Sequence, residues 1–183
     1  MTLAEPASSL TDFTLGIVAF IAAARLIPRA AADSHWRWFF LWIGIAGVWG
    51  GFHHGFIVGH ESVATLSWPV ISLLVAIAIS HLLAASVISV LGRGQGNPFL
   101  AVRAISITVF FFMVVSGNAT VVTFVLTEGL TMALVIGLWV YAWQKEQSGV
   151  GLFLAAIMVS LFAAALTASG LGGTGGGGEG KQK

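Results

Sequence analysis

The chain has 183 residues, 57% of them hydrophobic and 8% charged, and its mean hydropathy is +0.96. Such a chain has too little polar surface to cover a water-soluble core, which excludes a soluble globular domain and predicts a membrane protein. A net charge of +1 excludes the basic footprint of a nucleic-acid partner, and the absence of cysteine excludes disulfides and thiolate metal sites. Histidine and carboxylate are left as the strong candidate ligands.

Met1 to Leu10 carries Glu5 and no basic residue, so it lacks the positive start of a cleaved signal peptide, and the first span is expected to be retained. Apolar runs long enough to cross a bilayer, about 20 residues each, fall at Leu10–Ile27, Trp38–Ile57, Trp68–Leu91, Phe99–Val115, Ala119–Trp143 and Val150–Leu171. Each is expected to be helical, because hydrocarbon offers no partner for an unpaired backbone group and no period-two alternation suggests a barrel. The fold class is therefore all-α: a polytopic transmembrane helical bundle of six spans over residues 1–171. A Gly-rich tail, 172–183, has nothing to bury and is expected to be disordered. Asp33-Ser34 is placed to cap the second span, Pro69 to occupy the first turn of the third with Ser67 as its cap, and Asn97-Pro98 to stop the connection before the fourth.

Orientation follows from the basic residues. Arg25, Arg29 and Arg37 flank the first connection, Arg93 and Arg103 the third, and Lys145 the fifth, whereas the second and fourth have no Lys or Arg. The positive-inside rule then puts the odd-numbered connections in the cytoplasm and both termini outside. His53, His54, His60 and Glu61 gather at the outer face in this reading.

The end of the second run, Trp49-Gly50-Gly51-Phe52-His53-His54-Gly55-Phe56, sets two histidines among glycines. At about 100° per residue, Gly44, Gly47, Gly51 and Gly55 share one helical face, with Trp42, Ile45, Trp49 and Phe52 on another. The small face is suited to a close helix crossing, with Val48 expected off it. His54 lies beside the small face. His53, about 100° round, points to the tryptophan side and cannot share a small site with His54 unless the helix unwinds.

Ionisable groups at membrane depth are costly, so each is a functional candidate. Glu128 lies about 14 Å along the fifth span beside a stripe of Thr120, Thr123, Thr127 and Thr131, and His81 lies about 20 Å into the third. His54 and Glu128 are placed to approach each other. Arg103 is expected to snorkel to the cytoplasmic surface, so no base stands at the depth of Glu128, which is expected to rest as the neutral acid. His53, His60 and Glu61 are outer-face candidates, and each of these groups also has a plain reading as interfacial or helix-packing polarity. His35 reads as an ordinary connection residue.

Leu10-Thr11-Asp12, opening the first span, and Gly47 to Phe56, closing the second, resemble a group of bacterial polytopic proteins that are in turn similar to the CREST superfamily of alkaline ceramidases, haemolysin-III-like proteins and adiponectin receptors. The resemblance covers roughly the first third of the chain. It implies a bacterial inner (plasma) membrane location and a zinc-dependent lipid-amide hydrolase ancestry, with His54 matching the metal ligand of the second span. Gly50 stands where the superfamily's serine belongs, no aspartate occurs near Ser67-Trp68-Pro69, and no histidine follows Gly151. The first reading of function is thus a non-catalytic subunit or scaffold of a larger membrane assembly, its partners being the bilayer and other membrane subunits. The Trp42/Trp49/Phe52 face and Phe110-Phe111-Phe112 would supply the contacts. The rivals are a metal-dependent lipid hydrolase using zinc at His54 with Glu128 and a further histidine, and a small proton-linked channel or carrier.

Overall fold

The computed structural model describes residues 3–168 apart from 93, 95, 96, 119 and 148. The tail expected at 172–183 lies outside the described residues. Six α-helices follow one another among the described residues: α1 Pro6–Arg25, α2 Ala31–Phe52, α3 Glu61–Leu91, α4 Asn97–Val115, α5 Val121–Gln144 and α6 Val150–Ala168. No strand occurs among the described residues. Four of the helices, α1, α3, α4 and α5, are long and apolar enough to cross a membrane. The chain divides into two compact units, Met1–Leu138 and Trp139–Lys183, with the boundary inside α5. In the second unit Trp139 packs on Phe153, with ring centroids 4.3 Å apart.

The first unit is built around α3, which carries the fully buried Leu83 and Val87 and many small residues. Every buried residue of α1 is small: Ser9, Gly16, Ala19 and Ala23. They meet the glycine face of α2. A Cβ on Gly47 would lie 2.9 Å from the Asp12 carbonyl oxygen and 2.9 Å from the Gly16 nitrogen, so the two backbones cross in contact. Gly44 faces Phe20, Gly51 faces Phe13, and Gly55 faces Ser9. Val48 belongs to the same crossing, since a Cβ on Gly16 would come within 2.9 Å of its Cγ2. The bare residue is on α1 at that point, so Val48 fills a gap and does not face away.

Helix starts differ from the sequence reading in two places. α2 begins before Asp33, whose carboxylate accepts the backbone N–H groups of Arg29 and Ala30 from inside the first turn. α3 begins at Glu61, so Pro69 sits within the helix, and Ser67 accepts the Trp49 indole N–H at 3.0 Å in place of capping. The apolar stretch alone under-reports a helix whose first two turns mix Glu61, Ser62, Thr65 and Ser67 with apolar residues. α5 begins on a reciprocal pair of threonines: the Thr123 hydroxyl accepts the Thr120 N–H and the Thr120 hydroxyl accepts the Thr123 N–H.

Candidate functional site

Between Phe52 and Val58 the second helix widens into a single π turn, His53–Ile57, closed by the Val58 N–H on the His53 carbonyl. A π turn carries an extra residue per turn and loosens the backbone pitch, a feature frequent at functional sites. The sequence places His53 on the tryptophan side; the structure buries it to 7% exposure in the same cavity wall as His54. The rings stand edge to face with centroids 5.2 Å apart. The widened turn supplies the unwinding that a regular helix denies.

Carbonyls left over at the helix end are taken by the chain's own start. The Ala4 N–H donates to the Gly55 carbonyl, the Glu5 N–H to the His54 carbonyl, and the Ser9 hydroxyl to the Gly51 carbonyl. This strap carries Glu5 to the π turn, where its Oε2 lies 2.6 Å from His54 Nδ1. Asp12, about two turns beyond Glu5 along α1, puts Oδ2 3.9 Å from His54 Nε2. Only a glycine tolerates it there, because a Cβ on Gly50 would lie 2.6 Å from that oxygen. Asp12 is a site residue that the sequence reading passed over, although it shares the small face of α1 with Ser9 and Gly16. An acid on the close-packed face of a span is itself a signal.

Glu128 does not approach His54. It pairs instead with Arg103, which is 3% exposed and turned into the unit and not toward the surface. The guanidinium donates Nε to Ser80 Oγ at 2.8 Å, Nη1 to Glu128 Oε1 at 3.0 Å and to Thr131 Oγ1 at 3.1 Å, and Nη2 to the Ala76 carbonyl. Nη2 also stands 2.9 Å from Glu128 Oε2, a charge contact not aligned as a hydrogen bond. One side chain from α4 thus ties α3 and α5, with nearly all its donors engaged. Of the threonine stripe, Thr131 is buried against this pair, while Thr120 is exposed. Phe110 is buried too, edge-on to Phe124, while Phe111 and Phe112 are exposed.

His35, read as an ordinary connection residue, is the partner of His81: their Nδ1 atoms lie 3.1 Å apart, and Trp38 stacks on the His81 ring. One imidazole of such a pair donates and the other accepts. Burial lowers the pKa of His35, which precedes the second apolar run. His60 and Glu61 are exposed at the start of α3 and stay out of the cavity beside His54.

Among the described residues the zinc set implied by the resemblance is not assembled. Zinc takes about three protein ligands at roughly 2.0–2.3 Å, and among the described residues no three His, Asp or Glu side chains are grouped to hold an ion. Asp12 comes within 3.9 Å of His54, whose Nδ1 is already engaged by Glu5.

The model of a family of unknown function, DUF6962, matches residues 7–176. No curated protein and no solved structure matches the chain.

Proposed function

We propose that this chain, which belongs to DUF6962, is a six-span membrane protein with both termini outside that serves as a non-catalytic subunit or scaffold of a larger assembly in a bacterial inner membrane. The observation that carries this reading is the engagement of the Arg103–Glu128 pair: the most costly groups to place in a bilayer are spent on holding α3, α4 and α5 together. Other polar groups do the same between helices, Ser9 on the Gly51 carbonyl and Trp49 on Ser67. The exposed apolar side chains of α4 and α5, among them Phe112, Val125 and Leu126, suit lipid or a neighbouring subunit.

Two experiments test it. Native mass spectrometry of the protein extracted from its own membrane in mild detergent should show a second polypeptide in fixed ratio, and a lone chain that turns over lipid amides would overturn the reading. For the topology, the absence of cysteine allows single labels. Gly59 has open space around it, and Gln147 is exposed in the fifth connection. An impermeant thiol reagent on intact cells should label Gly59→Cys and not Gln147→Cys; the reverse pattern would invert the orientation.

A further inference from the structure

A cavity of about 190 Å³ lies between α1, α2 and α3, with Asp12, His53 and His54 lining it together with the apolar side chains of Trp68, Ile71 and Val75. We propose that it binds a primary ammonium group carried on a short hydrocarbon. Glu5 Oε2 engages His54 at Nδ1, which leaves Nε2 as the ring nitrogen on the Asp12 side. Asp12 Oδ2, 3.9 Å away, is beyond hydrogen-bond distance of it and keeps its acceptor sites free of that ring. His53 Nδ1 is buried and has no hydrogen-bond partner among the described residues. Buried polar atoms are nearly always satisfied, so an unpaired imidazole nitrogen beside a cavity calls for an occupant.

Asp12 offers a carboxylate acceptor beside the unpaired His53 Nδ1, and a primary ammonium brings three N–H donors together with the charge that Asp12 and Glu5 favour. No lysine or arginine lines the cavity, so a carboxylate or phosphate would meet the like charge of Asp12 there. A hydroxyl has one donor, and a quaternary ammonium has none. The remaining wall suits methylenes. An engineered cavity of roughly 150 Å³ holds benzene, so this space takes a chain of a few carbons and not a whole lipid. The ammonium has two sources, a free alkylamine or the headgroup of an aminophospholipid whose chains stay in the bilayer. The inference stands apart from the subunit reading: a chain found alone in its membrane would leave it intact.

The test uses the full chain in phosphatidylcholine nanodiscs with EDTA, titrated with hexylammonium, hexyltrimethylammonium and hexanol, with binding followed by calorimetry. Hexylammonium should bind about tenfold tighter than the other two, and folded Asp12→Asn should lose about tenfold for it, as expected for a charge-assisted hydrogen bond removed. Gly50→Ala, which displaces the Asp12 carboxylate, should do likewise. If either variant fails to fold, the ranking on the unaltered chain still decides. Equal affinity for hexylammonium and hexyltrimethylammonium, or a folded Asp12→Asn with unaltered affinity, would overturn the proposal. In phosphatidylethanolamine nanodiscs, weaker apparent binding of hexylammonium assigns the site to the lipid headgroup, and unaltered binding assigns it to a free amine.

Discussion

Arg103→Met should destabilise the protein in detergent by about 3–5 kcal/mol, the cost of leaving a buried carboxylate without its counter-charge. Glu128 is 4% exposed, and Arg103 supplies its charged partner and its hydrogen bond at Oε1. Reversible unfolding in a mixed-micelle titration measures the loss. Glu128→Gln should also be destabilising, since the amide keeps an acceptor for Nη1 but leaves the guanidinium uncompensated. The double variant Arg103→Met/Glu128→Leu should regain most of the stability, because a buried pair replaced by apolar side chains of similar volume is often neutral or better. A single variant with unaltered stability would mean that the pair contributes nothing to holding α3, α4 and α5.

Gly47→Leu should be the most damaging change on the α1–α2 crossing, and even Gly47→Ala should cost about 1–3 kcal/mol, as overpacking does. The atoms that a new Cβ would meet at 2.9–3.0 Å are all backbone, the Asp12 carbonyl oxygen and the Gly16 nitrogen and Cα, so the helices themselves must part. At Gly51 and Gly44 the obstacle is a phenylalanine ring, which can swing aside. The order Gly47 worse than Gly51 therefore tests the crossing geometry. Ile45→Leu, at a position 41% exposed, serves as the control and should stay within about 0.5 kcal/mol. Thermal unfolding in detergent reads all three, and equal losses at Gly47 and Ile45 would place the glycine face on lipid.

The helices and the glycine face are legible in the sequence because hydropathy and small-residue spacing report on length and close approach, which are local properties. What the local pattern misses is the direction in which a long or loosely held side chain turns. Arg103 lies near the start of an apolar run, where snorkelling outward and reaching inward look alike; Ser80, Thr131 and the Ala76 carbonyl decide the matter, and all three come from other helices. His53 is misplaced by an assumed 100° step, since nothing in the residues His53-His54-Gly55 announces a π turn. The His35–His81 contact escapes for a related reason: measuring depth from Trp68 hides that α3 starts a full two turns earlier, at Glu61. Asp12 was within reach, as the acid on a face otherwise made of Ser9, Gly16, Ala19 and Ala23.

Whether the interior polarity is structural turns on the state of Glu128. A carboxyl deep in a span with no base beside it would rest as the neutral acid, as the sequence alone suggests, whereas a carboxylate 2.9 Å from the Arg103 guanidinium is half of an ion pair. Infrared difference spectroscopy of the unaltered protein against Glu128→Gln at neutral pH separates the two. The Arg103–Glu128 geometry predicts an ionised-carboxylate band that disappears in the Gln variant. A protonated carboxyl stretch in its place would contradict the ion pair and return Glu128 to the candidates for proton-linked chemistry.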